Sequence, residues 1–291
     1  MGYYISQLIN GLSQGAIYAL MAIGYTVVVG VTGLVTFTHG EVIMLGAFAA
    51  YFAFSMFGGN LFVGILASFF ASWLVGVFVY KVCYEHFFDA PRHISLICTI
   101  GVSMLLKNLA QLVFGPNNKP LLEIIPNKFY GVNGVGITLV QIIILSTVIS
   151  LCLLLFLFFN KTKYGVQLRA VSQDKRASAL MGINVKKTTL FGNCLGCGLG
   201  GIAGMLLAIY YQTLVATMGG PAGMKAFSSS VLGGLTDIPS AALGGLCLGI
   251  IENLGITFTS ASYRDIFAFI FLVLVLIIKP EGFARKKGVR P

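Results

Sequence analysis

Four ionisable residues stand inside apolar stretches of this chain: Glu41, Lys107, Lys225 and Glu252. An ionised side chain at membrane depth is expensive enough to need a reason. His39 stands two positions before the first of them. His39-Gly-Glu41 cannot be a helical zinc pair, because residues two apart do not share a helix face. The motif follows Thr36 and Thr38 and opens an apolar run, which leaves two readings for Glu41. A carboxylate in a first helical turn is favoured by free backbone N–H groups and the dipole. The same carboxylate could instead face a solute path. Lys107 has Asn108 and Gln111 for neighbours, and positions 107 and 111 share a helix face. That spacing predicts a polar seam turned toward the bundle interior. Glu252-Asn253 calls for a base or hydroxyl elsewhere in the fold. Lys225-Ala-Phe-Ser-Ser-Ser230 opens a short apolar run, where free N–H groups and a lysine would suit an anion or carboxylate. The competing reading is a lysine that snorkels to the interface.

Other chemistry finds little support. The dipeptide Gly-Lys does not occur, so a Walker A loop is absent. No nucleophile, histidine and acid stand in a catalytic arrangement, and no cofactor is expected. Cys194-x-x-Cys197 has no histidine or second cysteine pair near it in sequence. All six cysteines, Cys83, Cys98, Cys152, Cys194, Cys197 and Cys247, read as small packing residues in or beside apolar runs.

The elements that must position these residues are membrane helices. Of 291 residues, 57% are hydrophobic and only 10% are charged, against roughly 25% in a soluble protein. Apolar runs lie at Ile5–Val31, Glu41–Phe57, Leu61–Val82, Ile94–Phe114, Ile137–Phe159, Thr188–Leu214, Lys225–Leu235, Ala241–Phe258 and Ile266–Ile278. The pattern predicts one all-α polytopic domain over residues 1–291, with about 8–9 transmembrane helices. Lys225–Leu235 is too short to cross about 30 Å of hydrocarbon. Gly219-Gly220-Pro221 and Thr236-Asp237-Ile238-Pro239 bound it, which describes an interrupted half-helix. Such an element survives at membrane depth only when buried in protein or lining a cavity.

The net charge of +10 could suggest nucleic acid, but the bases are clustered. Lys161, Lys163, Arg169, Lys175, Arg176, Lys186 and Lys187 lie in one loop over residues 160–187, with Asp174 as its acid. Lys279, Arg285, Lys286, Lys287 and Arg290 lie in a basic tail over residues 279–291. Excess Lys and Arg marks cytoplasmic segments, so topology explains the charge and no nucleic-acid partner is expected. Counting from that loop puts Pro116–Gly136 and the N-terminus outside, and the turn Thr32–Thr38 inside.

The basic loop also carries structure. Asp174 falls near the start of a short helix, Ala177, Leu180 and Met181 recur at helical spacing, and Gly182 is placed to end it. An apolar strip on a cytoplasmic helix needs either the membrane surface or a partner to cover it. A faint internal repeat is also visible. Gly15–Tyr25 resembles Gly201–Tyr211, and the same offset aligns Gly33 with Gly219 and His39 with Lys225. With the predicted topology the copies run in opposite directions, the plan of an inverted-repeat transporter. Gly192, Gly196, Gly200 and Gly204 form a small-residue face that lets a second helix approach closely, and Gly245 and Gly249 read the same way.

Three motifs together resemble a known family. Thr36-Phe-Thr-His-Gly-Glu-Val-Ile-Met-Leu-Gly-Ala-Phe48 resembles the segment after the first helix of branched-chain amino acid ABC permeases of the LivH type. Gly165–Ile183 resembles their cytoplasmic coupling loop, and Lys225–Pro239 with Leu243–Glu252 resembles their C-terminal half. The resemblance implies a permease subunit of an ATP-binding-cassette importer in a prokaryotic cytoplasmic (inner) membrane. It implies a second permease of the LivM type, two cytoplasmic ATPases and an external substrate-binding protein. It assigns ATPase coupling to Arg169, Asp174, Ala177, Leu180, Met181, Gly182 and Ile183. Similar permeases also carry urea or short amides, and an uncharged residue often stands where this chain has Lys107. An ion-coupled secondary transporter shares the broken helices but does not need a docking helix.

Backbone accounting adds the path. The interrupted segments Thr36–Leu45 and Gly219–Leu235 leave N–H and C=O groups to satisfy, so they should meet around a central route. Phe37, His39, Gly40, Glu41, Met44, Lys225, Phe227, Ser228, Ser229 and Glu252 are its candidate residues, with Val231 as a further wall.

Overall fold

Each of the nine apolar runs forms mostly helix in the computed structural model, which describes residues 2–87, 91–121, 128–132, 135–235, 237–260 and 263–278. The helices are α1 (Gly2–Thr32), α2 (His39–Met56), α3 (Leu61–Val79), α4 (Arg92–Phe114), α5 (Leu139–Lys161), α6 (Lys163–Gln173), α7 (Lys175–Leu180), α8 (Val185–Tyr211), α9 (Gly219–Gly233), α10 (Ile238–Phe258) and α11 (Arg264–Ile278). Helix α3 continues as a π-helical turn, Tyr80–Glu85. Seven helices among the described residues are long and apolar enough to cross a membrane. α9 and α11 have 15 residues each, about 22 Å at 1.5 Å per residue. The chain is an all-α polytopic membrane protein. The basic tail, residues 279–291, lies outside the described residues.

The sequence reading misplaced the start of the half-helix. Gly219, Gly220 and Pro221 are inside α9, not before it. Proline is tolerated in a first turn because its missing N–H has no intrahelical partner there. The segment Pro116–Gly136 also contributes small strands. β1 (Lys119–Pro120) pairs antiparallel with β4 (Thr213–Leu214), and β2 (Phe129–Val132) with β3 (Val135–Thr138).

Contacts along the helices fix their directions. Asn10 near the start of α1 meets Gln141 near the start of α5 at 2.7 Å. Thr32 at the far end of α1 meets Lys175 of the basic loop. α1 therefore runs toward the basic side and α5 runs with it. α8 runs back, since Val31 lies on Gly192 and Val28 on Gly196. α2 runs alongside α8, with His39 against Gly200 and Ile43 against Gly204. The glycine face of α8 is thus the seam that seats α1 and α2. Gly245 and Gly249 of α10 similarly lie on Ala19 and Gly15 of α1.

The two halves pack by one scheme with opposite directions. α1 packs on α8, α9 and α10, while α8 packs on α1, α2 and α3. α2 meets α9 at the centre of this arrangement. The faint sequence repeat between α1 and α8 thus coincides with matching places in the fold.

Candidate translocation cavity and coupling helix

The break after α1 is a re-entry. Gly33 has φ +72°, a backbone conformation that glycine adopts without steric penalty. The chain then climbs back along α1. The Tyr25 hydroxyl donates to the Thr36 carbonyl at 3.1 Å, and the Thr36 and Thr38 hydroxyls bond at 2.8 Å. These bonds satisfy polar groups that would otherwise be unpaired in an apolar setting. α2 begins there, level with Gly24 and Gly200 and well short of the end of α1. The start of α9 crosses it backbone to backbone: a Cβ on Gly223 would lie 2.9 Å from the Gly40 Cα, and one on Gly40 would overlap the Gly219 carbonyl.

Beside this crossing is a cavity of about 390 Å³, within the roughly 300–1,000 Å³ range of small-molecule sites. α1, the re-entrant segment, α2, α4 and α9 border it. Phe37, His39, Gly40, Glu41 and Phe227 line it, and so does Lys107. Sequence reasoning did not place Tyr25, Ile100, Ser103, Met104 or Met224 on this wall. Ile100, Ser103, Met104 and Lys107 are spaced as one helix face, so Lys107 was the signal that could have found the other three. The Glu41 side chain is directed at Gly219, and Ser103 and Lys107 act on its carboxylate. His39 is buried, edge-on to Tyr25 with ring centroids 5.5 Å apart. Most of the remaining wall is apolar, so the cavity can accept a small solute with both polar and aliphatic parts.

The other sequence candidates lie elsewhere. Met44 is buried in a side cluster with Phe48 and Ala208. Ser228 and Ser229 are buried off the cavity, and Ser230 bonds Thr26 of α1 at 2.7 Å. Val231 packs in the main core. Lys225 and Glu252 form an ion pair of 2.8 Å between α9 and α10. Lys225 also meets Asp265 at 2.9 Å and the Tyr18 hydroxyl at 2.9 Å, and Arg264 approaches Glu252 at 3.4 Å. Asn253 donates to Gln14 at 2.7 Å, which extends the network into α1. Lys225 is thus held inside the bundle and does not reach out to an interface. Removing one partner of a buried pair costs about 3–5 kcal/mol. Lys225→Met should cost about 3 kcal/mol, the low end of that range, because Arg264 still faces Glu252. A thermal scan of the detergent-solubilised protein checks this, and an unchanged midpoint refutes it.

The basic loop is two helices. α6, which the residue pattern did not predict, buries Leu168 and Val171. Asp174 then caps α7, its carboxylate accepting from the N–H groups of Arg176 (2.8 Å) and Ala177 (3.0 Å). At the other end Gly182 has φ +81°, its N–H donates to Ala179, and that of Ile183 donates to Ser178. This is the left-handed glycine stop that closes a helix by satisfying its last carbonyls. Between the caps Ser178 faces inward while Ala177 is exposed. Leu180 and Met181 are 89% and 83% exposed. Arg169 bonds Asn160 at 3.1 Å, and Ile183 is half-buried. Lys175, absent from the sequence reading of the loop as a contact, donates to the Thr32 carbonyl at 2.6 Å. The lysine at the start of α7 therefore holds the end of α1, next to the segment that re-enters toward the cavity.

Comparison with known proteins accords with this architecture. The family model described as branched-chain amino acid transport system / permease component matches residues 7–276. The chain is 36% identical over 292 residues to the high-affinity branched-chain amino acid transport system permease protein BraD of Pseudomonas aeruginosa, covering 96% of this chain and 95% of that protein. It is 35% identical over 296 residues to the corresponding LivH of Escherichia coli K12, with the same coverage. A chain of PsaBC from Streptococcus pneumoniae, solved with a Fab, superposes with a TM-score of 0.50 at 15% identity over 94% of this chain and 91% of that one, a likeness of fold alone. The protein belongs to the branched-chain amino acid transport system permease family.

Proposed function

We propose that this protein is the membrane-spanning subunit of an ATP-binding-cassette importer that moves branched-chain or other small neutral amino acids across the cytoplasmic (inner) membrane of a prokaryote. The observation that carries the reading is one continuous piece of protein. It joins an exposed apolar helix on the basic side to a cavity inside the bundle, through Lys175, Thr32 and the re-entrant segment. A channel or ion-coupled carrier has no use for that external knob. The subunit performs no chemistry of its own. One of two ATPases docks on α7 at the cytoplasmic face, and an external binding protein delivers the solute to the other side. Phe37, Met104 and Met224 of the cavity wall are also open at the protein surface, and a second permease of the LivM type closes the path there. Lipid covers the outer faces of α3, α4 and α5, which carry exposed Leu and Phe.

The test is reconstitution. The permease, its LivM-type partner, both ATPases and the binding protein are placed in liposomes with radiolabelled leucine outside and ATP inside. Uptake should require ATP and the binding protein together. Uptake driven by an ion gradient without ATP would instead identify a secondary transporter, and uptake of urea or a short amide alone would identify a different solute.

A further inference from the structure

We propose that the cavity between α2, α4 and α9 holds its solute as a zwitterion, the Glu41 carboxylate taking an ammonium group and the Lys107 ammonium taking a carboxylate. The inference rests on the importer reading above and names how the solute is gripped. Glu41 is only 3% exposed, and its Oε2 is buried with no hydrogen-bond partner among the described residues. A buried carboxylate oxygen left unfilled costs free energy, and such an atom calls for an occupant. Gly219 stands against that oxygen where a side chain would close the approach. Lys107 projects from α4 into the same cavity. No ion pair within 4.0 Å joins it to Glu41 among the described residues. Two groups of opposite formal charge thus face one space without a direct ion pair between them.

That arrangement selects by charge. A free cation meets Lys107 and a free anion meets Glu41, each a like-charge contact in a setting where screening is weak. A solute bearing both charges satisfies both groups and adds no net charge to the bundle. Ser103 adds a hydroxyl beside Glu41. Tyr25, Phe37, Ile100, Met104, Met224 and Phe227 supply an apolar wall for an aliphatic side chain. The site is open on one side, which suits a solute that must leave again.

The experiment measures binding of radiolabelled leucine to the assembled importer in detergent without its binding protein, alongside uptake in liposomes. Competitors are 4-methylpentanoate, which lacks the ammonium, and 3-methylbutylamine, which lacks the carboxylate. Glu41→Gln and Lys107→Met should each weaken leucine binding by at least about tenfold, equivalent to about 1.4 kcal/mol. The competitor pattern should split. Glu41→Gln should bind 4-methylpentanoate nearly as well as leucine, Lys107→Met should do so with 3-methylbutylamine, and Lys107→Arg should restore much of the wild-type preference. A merely structural role moves all three compounds together and overturns the clamp. Unchanged leucine binding in both variants, each inserted and monodisperse, also overturns it while leaving the importer reading intact. A wild-type complex that neither binds nor imports leucine removes both readings.

Discussion

Gly40→Trp should abolish uptake, with a loss of two orders of magnitude or more, while the protein still inserts in the membrane. The expectation follows from the crossing of α2 and α9. Gly40 packs directly on Gly219 and Gly223, and it lines the cavity. Even a methyl group there would overlap the Gly219 carbonyl. Overpacking a tight site costs about 1–3 kcal/mol through backbone shifts, and this shift would fall on the cavity wall. Gly40→Ala should therefore reduce uptake by about tenfold, one step of about 1.4 kcal/mol, and the indole should remove what remains. Ser229→Trp should also impair uptake, through the packing of α9 on α10 next to Gly244. Leu153→Trp is the control, because Leu153 is exposed on α5, where a larger apolar side chain meets lipid. Uptake and surface expression are measured in parallel. Wild-type transport by a correctly inserted Gly40→Trp protein would show that the solute does not pass this crossing.

The second large effect is expected at α7. Leu180 and Met181 are the most exposed apolar side chains on the loop, and the helix carrying them is capped at both ends. A rigid knob of this kind loses little conformational freedom on docking. Burying two such side chains contributes about 1.5–3 kcal/mol each. Leu180→Asp with Met181→Asp replaces that gain with desolvated charge, so assembly with the ATPases should weaken by at least a hundredfold. Ala177→Asp should act in the same direction. Lys175→Met separates docking from transmission. The ATPases should still bind and hydrolyse ATP, but uptake per ATP should fall several-fold because the end of α1 is no longer held to α7. Pull-down of the ATPases and parallel ATP and uptake rates distinguish the two. Normal assembly by the double aspartate variant would move the docking surface elsewhere.

Much of this protein was legible before any coordinates. Apolar runs of membrane length report helices directly, because hydrocarbon leaves the backbone almost no other way to satisfy itself. The α7 stop was equally plain, since Gly182 follows a helical apolar strip and takes up a positive φ. The break before α2 could be read from its polar residues, and the glycine face of α8 from its spacing. Each of these is a local property, set by one short stretch of chain and its solvent.

What lay hidden was pairing across the bundle. Local sequence does not show which of Lys225 and Lys107 finds a carboxylate partner: both are lysines in apolar helices with polar neighbours. The fold gives Lys225 two carboxylates and a tyrosine hydroxyl on three other helices, and it gives Lys107 a cavity wall facing Glu41. Met44 and Phe37 are likewise both apolar residues near one helix break, yet one is core and the other lines the cavity. The position of Gly219 relative to α9 also escaped, because a proline in a first turn looks the same in sequence as a proline that ends a loop. Sequence by itself determined the membrane helices, most of their ends and the family. Only the tertiary structure decided which buried charges pair and which face a cavity, because that depends on distances between separate segments, such as Lys225 and Tyr18, 207 residues apart in the chain.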